Sequence, residues 1–239
     1  MNSYSESIQR FQHYLKKAIS VMQQQKRQLK SMSSTREKQD TGQKEIMMAL
    51  MKYEEVGLAY YTDQDSNQRV LTHGNNADLK ERVENAEKKA KNPYRDAYIW
   101  MKGELLDVQG MFDCLQGREG VMKAQLSTEQ KKKDDEKELS KLSAGKTTFK
   151  SLLKSKSQKE SNILTLQASI EIADQEIGDF KKLITFLTIY HGQQAIPKFK
   201  IAKSKLYLKM LNTFCVKEIS NAHLTATLFH SLLELGNKE

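Results

Sequence analysis

A seven-residue repeat of apolar side chains constrains the fold of this chain more than any other feature. In the last third of the sequence, isoleucine recurs every seven residues, and another apolar residue follows three positions after each isoleucine. The two series are Ile163, Ile170, Ile177 and Ile184, and Leu166, Ala173, Phe180 and Leu187. Alternating spacings of three and four residues are typical of a helix that packs in a coiled coil.

The repeat is interrupted around Gly192 and Pro197 and then resumes in the same register. The resumed series contains Leu208, Cys215, Ile219, Ala222, Ala226, Phe229 and Leu233. A proline inside a helix removes one hydrogen bond and bends the helix, but it does not require the chain to leave the helical path. We therefore expect one very long helix, bent near Pro197.

The first two thirds of the chain carry the same repeat. The first third contains Ile8, Phe11, Leu15, Ala18, Met22, Leu29 and Met32, and then Ile46, Leu50, Tyr53 and Tyr60 in the same phase. The middle third contains Tyr94, Tyr98, Met101, Leu105, Val108, Phe112, Leu115, Met122 and Leu126. Asn92 followed by Pro93 is typical of a helix start, so the middle helix is expected to begin or to kink there.

Two polar stretches separate the three repeats, and only 11 glycines and 2 prolines are available for the turns of a sheet. We predict a single all-α domain over residues 1–239, folded as an elongated antiparallel three-helix coiled coil. Its parts are helix 1 over about 4–61, a loop over 62–77, helix 2 over about 78–139, a tip over 140–157 and helix 3 over about 158–235. Such a thin bundle exposes much apolar surface, which favours a dimer over a monomeric spectrin-like rod.

Basic residues are concentrated in and before the tip. The chain has a formal net charge of +9, and between Lys131 and Lys159 ten lysines stand against four acids. A polybasic segment at the end of a hairpin favours an anionic membrane, although an ordinary solvated charge run has the same composition. The candidate membrane contacts are Lys131, Lys132, Lys133, Lys146, Lys150, Lys154 and Lys156.

Two further groups are candidates for lipid contact. Phe149, Leu152 and Leu153 lie among the tip lysines at helical spacing, so they could insert between headgroups or could simply close the end of the bundle. A second basic stretch, at Lys26, Arg27 and Lys30, could line a membrane-facing surface or could be solvated.

No motif indicates catalysis, a cofactor or a metal. The segment Ser143–Thr147 resembles part of a phosphate-binding loop, but Ser140 stands where its first glycine is required. The five histidines lack the H-E-x-x-H spacing, and Cys114 and Cys215 have no C-x-x-C partner. We therefore expect a non-enzymatic protein that binds neither a small-molecule substrate nor nucleic acid, since no nucleic-acid fold motif accompanies the positive charge.

Without a long apolar run or a signal peptide, a cytoplasmic protein is expected.

Three segments carry a resemblance to a known family. They are Asn92-Pro93-Tyr94 through Gly117-Arg118-Glu119, the tip from Leu142-Ser143-Ala144-Gly145-Lys146-Thr147-Thr148-Phe149 to Lys159-Glu160, and the last helix with Ile177-Gly178-Asp179-Phe180-Lys181-Lys182 and Phe199 to Leu235. In these segments the chain resembles the BAR domains of sorting nexins, in particular the branch that acts in endosomal recycling and autophagy. Sorting nexins usually also carry a phosphoinositide-binding PX domain, and nothing in these 239 residues resembles one.

The resemblance implies a crescent-shaped homodimer, or a heterodimer with another BAR-domain sorting nexin, that senses or drives membrane curvature on endosomes. The function predicted from the sequence is therefore peripheral membrane binding in endosomal protein transport. The alternative is a coiled-coil scaffold or tether that has no direct contact with lipid.

Overall fold

A computed structural model of the chain is almost entirely helical over the residues that it describes, which are 2–57, 76–144 and 156–236. The helices are α1 (Asn2–Val56), α2 (Asn76–Lys89), α3 (Pro93–Ser143), α4 (Lys156–Tyr190) and α5 (Ile196–Gly236), with a π turn at His191–Ala195 between α4 and α5. None of these residues forms a strand, so the predicted all-α class is confirmed. No helix in the described ranges is both long and apolar enough to cross a bilayer.

The helix predicted over 78–139 is divided into α2 and α3, and the break falls at residues 90–92. Asn92 caps α3, because the Arg95 backbone N–H donates to Asn92 Oδ1 at 3.1 Å. Pro93 occupies the first turn, where a backbone N–H would have no helical partner. Helices α3 and α4 both extend into the predicted tip, while residues 58–75 and 145–155 lie outside the described part of the chain.

The chain divides into two compact units, which are described separately. The first unit comprises residues 1–18 and 107–201, and the second comprises 19–106 and 202–239. Each unit therefore combines parts of α1, α3 and α5, while α4 belongs to the first unit and α2 to the second.

The core of the first unit is built from the apolar stripes that the sequence predicts. Ile8 and Leu15 of α1 and Leu115 of α3 are buried completely or almost so, and Ala173 and Ile177 of α4 are buried with them. The stripes of α1, α3 and α4 thus face inward in this unit. Farther along α3 the stripe leaves the core, because Met122 and Leu126 are exposed.

The interruption of the repeat between α4 and α5 is a π turn. The Ile196 backbone N–H donates to the carbonyl of His191, five residues back. Pro197 follows immediately, and a proline ring in a regular helix would clash with the carbonyl four residues earlier, so a wider turn accommodates it. The turn also shifts the inward face: Ile196 is buried, whereas Gln194, where the seven-residue series would continue, is exposed.

In the second unit, an apolar cluster joins α1 and α2. It consists of Met47, Met51, Leu79 and Val83, with Met48 and Leu228 packed against it. The backbone at the α2–α3 break is bound by a single buried side chain of α5: the Lys91 N–H donates to Asn221 Oδ1 at 3.0 Å, and Asn221 Nδ2 donates to the Lys91 carbonyl at 2.7 Å. Farther along the unit, Tyr94 packs edge-on against Phe214.

The inward face of α5 in this unit is not the one that the repeat predicts. Between Met210 and Leu228 the partly or fully buried residues are Met210, Phe214, Lys217, Glu218, Asn221, Leu224, Thr225 and Leu228, and all of them except Glu218 and Thr225 lie two positions after the extrapolated seven-residue spacing. The predicted series, from Leu208 to Phe229, is exposed, as are Ile46, Leu50 and Tyr53 of α1. An α-helix drifts about 20° per heptad from a seven-residue repeat, and the π turn adds a residue, so a register extrapolated across the turn points the wrong way.

Candidate functional site

The three lysines predicted at the end of α3 differ in their surroundings. Lys131 and Lys133 are exposed. Lys132 Nζ lies 2.6 Å from Asp174 Oδ1 and 3.4 Å from Glu136 Oε1. The hydrogen bond to Asp174, followed by the charges of these two carboxylates, raises the pKa of Lys132 above its ordinary value. Lys132 is thus engaged in holding α3 to α4, and its charge is largely compensated.

Most of the predicted tip contacts lie outside the described residues: Lys146, Phe149, Lys150, Leu152, Leu153 and Lys154. Lys156 is the first residue of α4, and its side chain is also outside the described part. In the second basic stretch, Arg27 and Lys30 are exposed on α1, and Lys26 is half-buried.

Another basic region, which the concentration of lysines in the sequence does not indicate, lies on α4 and α5. The 38 residues from Phe180 to Lys217 contain eight lysines and no aspartate or glutamate. Four of these lysines are exposed on α5, namely Lys198 and Lys200 in the first unit and Lys205 and Lys209 in the second. In the sequence, these lysines are indicated by the absence of aspartate and glutamate from the run, because they are less closely spaced than the lysines of the tip.

The other lysines of α5 are engaged in ion pairs. Lys203 pairs with Glu104 at 2.9 Å, and Lys217 pairs with Asp96. Among the described residues, no carboxylate forms an ion pair with the four exposed lysines; Lys200 Nζ instead lies 4.9 Å from the ring centroid of Phe11. These four positive charges are therefore available to an anionic partner.

The outward face of α5 in the second unit is apolar over several turns. Leu208 is 61% exposed and Ile219 is 70% exposed, and Phe229 continues the same side. Cys215, Ala222 and Ala226 lie on this side as well and are also exposed, and the exposed Asn212 is its one polar position between Leu208 and Phe229. We call the six apolar residues the outer stripe. Exposed apolar residues in a continuous row commonly mark an interaction surface.

The cavities described in the second unit are small. The larger measures about 220 Å³ and lies between α3 and α5, where Trp100, Leu206 and Met210 contribute to its wall. Pockets for small-molecule ligands usually measure about 300–1,000 Å³ and contain converging polar groups. We assign no ligand site to it, and the described residues contain no group of histidine, cysteine, aspartate or glutamate that could hold a metal ion.

Comparison with known proteins gives no relative. No protein-family model matches the chain, and neither a curated protein nor a solved structure is similar to it. The candidate surfaces therefore rest on the residues and the geometry described above.

Proposed function

We propose that this protein is a self-associating helical module that binds anionic membranes peripherally, in the manner of the sorting-nexin BAR domains that its sequence resembles. The observation that carries the proposal is the acid-free run from Phe180 to Lys217, with four exposed lysines that lack a carboxylate partner among the described residues. Curvature sensing and a role in endosomal transport and autophagy belong to the same proposal and rest on the resemblance.

The electrostatics of these lysines suit a negatively charged leaflet. Each lysine near an anionic surface contributes about 1 kcal/mol to binding, and this contribution decreases with ionic strength. An acidic side chain nearby would cancel part of that attraction, and the run contains none. Dimerisation would double the number of lysines that can face one membrane and so strengthen weak individual contacts.

The outer stripe supports self-association. Its residues follow the spacing that a coiled-coil partner requires, yet in a single chain they remain exposed. We propose a second copy of this chain as the occupant, because burying an apolar stripe of several turns against its own copy removes both stripes from water. A heterodimer would use the same stripe.

Co-sedimentation with liposomes tests the membrane proposal. The wild-type chain should bind vesicles that contain phosphatidylserine, should ignore pure phosphatidylcholine vesicles, and should be released as salt rises from about 0.1 M to about 0.5 M. The double variant Lys205→Glu/Lys209→Glu should bind at least about thirtyfold more weakly, which corresponds to about 2 kcal/mol for two lysines.

A matched control keeps the same change in net charge. Lys52 and Lys80 are exposed lysines of the second unit with acidic neighbours in sequence, so Lys52→Glu/Lys80→Glu should have a much smaller effect. Wild-type affinity in the Lys205/Lys209 variant would contradict α5 as a contact surface. Lys150→Glu/Lys154→Glu, tested in parallel, measures the separate contribution of the tip.

Sedimentation velocity tests self-association. Wild-type protein should sediment as a dimer, and Ile219→Asp should convert it to a monomer, because a carboxylate would otherwise be buried in the apolar interface. Ile99→Asp, at an exposed isoleucine of α3 that is not part of the outer stripe, serves as the control and should leave the dimer intact. A monomeric wild-type chain would contradict the second-copy assignment.

A coiled-coil scaffold or tether is the second candidate, because the outer stripe alone would support it. Such a protein would self-associate, or bind another helical chain, without any affinity for lipid. This candidate is favoured if the protein forms a dimer but does not bind vesicles even at low salt.

A further inference from the structure

A buried polar layer lies in the first unit, where α3 meets the end of α4 and the π turn. Arg118 is only 4% exposed, and Thr188 and His191 are each 2% exposed. Arg118 Nε donates to Thr188 Oγ1 at 2.7 Å, and Arg118 Nη2 donates to Ser5 Oγ of α1 at 2.5 Å. The layer therefore connects all three segments that form the core of this unit.

The layer holds a buried positive charge bound by hydroxyl groups. Thr188 Oγ1 donates in turn to the carbonyl of Ile184 at 2.7 Å, so its oxygen is free to accept from Arg118. Burial lowers the pKa of Arg118, and the charge of Glu119 partly opposes this effect. Even so, a guanidinium stays protonated at any physiological pH, so this cation is permanent.

His191 is the second ionisable group of the layer, and its ring has no hydrogen bond to any described residue. Both Nδ1 and Nε2 are buried without a partner in the structure. Tyr190 contacts the ring edge-on, at 5.8 Å between ring centroids. Burial, followed by the nearby charge of Arg118, lowers the pKa of His191 below its ordinary value of 6.5. At neutral pH the imidazole is therefore uncharged in the folded chain.

Among the described residues, the groups around His191 offer no negative charge to a protonated imidazole. Arg118 faces it from α3, and Glu119 acts on Arg118 but is not among the charges that shift the pKa of His191. From α1 the neighbouring titratable group is Tyr4, whose ring packs on Gly192 and whose hydroxyl accepts a hydrogen bond from Gln193 at 3.1 Å. On its own turn, the adjacent group is Tyr190.

We infer that this layer is an acid-sensitive element: protonation of His191 opens the π turn and releases the end of α4 from α1 and α3. A proton on either ring nitrogen would create a second cation in a layer that already buries one, and the new N–H would need an acceptor. Water can supply that acceptor only if the turn opens. The contacts of Tyr4 with Gly192 and Gln193 lie on the same turn, so they would be lost with it.

The direction of the pH effect follows from the lowered pKa. The stabilisation contributed by a neutral buried His191 is complete above the pKa that histidine has in the opened or unfolded chain. It is lost as the pH falls from about 6.5 toward the lower pKa of the closed state. In that window, the equilibrium between closed and open states should move by about tenfold per pH unit for one proton taken up.

Hydrogen exchange on the 239-residue chain tests this inference. After correction for the intrinsic exchange rate, protection of the amides in residues 184–200 should fall by about tenfold per unit between about pH 6.5 and pH 5.5. Residues 208–229 of the second unit serve as the internal reference and should change much less. His191→Gln, which cannot take up the proton, should abolish most of the pH dependence.

Two controls keep the result decisive. His13→Gln and His223→Gln replace exposed histidines and should leave the pH dependence as in the wild type. If His191→Gln fails to fold, an NMR titration of the wild type decides, since the His191 ring should titrate below 6.5 and together with the loss of protection. The inference is wrong if protection of 184–200 is independent of pH, or if His191→Gln retains the wild-type pH dependence.

Discussion

Helices α4 and α5 carry the same seven-residue series, but the series has opposite environments in the two. On α4, Ala173 and Ile177 are buried in the core of the first unit. On α5, Leu208 and Ile219 are exposed, and residues two positions later pack inside the second unit. The comparison shows that a heptad repeat identifies a helix face that needs a partner but does not say whether the partner belongs to the same chain.

The largest expected effect is on the α4 side of this comparison. Ile177→Ala removes a side chain that is 8% exposed and leaves a cavity, so it should lower the free energy of unfolding by about 3 kcal/mol. Urea unfolding at low protein concentration, followed by circular dichroism, measures the loss. A change below 1 kcal/mol would mean that the α4 stripe does not form the core of the first unit.

An intermediate effect is expected on the inward face of α5. Asn221→Ala removes both hydrogen bonds to the Lys91 backbone and leaves its partly buried N–H and carbonyl unpaired, so about 2 kcal/mol of unfolding free energy should be lost. The same urea titration applies. Asn85→Ala, at an exposed asparagine of α2 in the same unit, is the control and should not lower the unfolding free energy.

The smallest effect is expected on the outward face of α5. Ile219→Ala should change the unfolding free energy of the monomer by less than about 0.5 kcal/mol, because the side chain is 70% exposed. The measurement requires a concentration at which the wild type is monomeric. At higher concentrations, the variant should lose the extra stability that self-association gives the wild type. A loss comparable to that of Ile177→Ala at low concentration would contradict the assignment of this face.

Much of the fold follows from the sequence because apolar periodicity is a local property. It predicts the helical class and the inward stripes of α1, α3 and α4 in the first unit. The Asn92-Pro93 pair predicts either a helix start or a kink, and the structure has the helix start. The direction of the outer stripe could not be predicted, because Pro197 indicates a disturbance but not the added residue of a π turn. In the same way, His191 stands where the seven-residue series is interrupted, and the sequence shows neither its burial nor that Arg118 shares its layer.

The candidate site was less predictable than the fold. Lysine density led to the tip, most of which lies outside the described residues, and to Lys132, which is engaged with Asp174. The exposed lysines of α5 can be recognised in the sequence only if aspartate and glutamate residues are counted together with the lysines. Whether a lysine is free or paired depends on contacts between helices, such as that of Lys203 with Glu104, and the sequence spacing does not reveal those contacts.

The bond between Asn221 and Lys91 fixes the longitudinal position of α5 against the α2–α3 break. One carboxamide supplies both the acceptor for the Lys91 N–H and the donor for the Lys91 carbonyl, so α5 is matched to the break at the position of Asn221. A slide of α5 by about one turn would bring Lys217 or Thr225 to this place, and neither carries a carboxamide. These two hydrogen bonds thus select one longitudinal position of α5 in the second unit, which its apolar contacts cannot do because one apolar side chain can replace another.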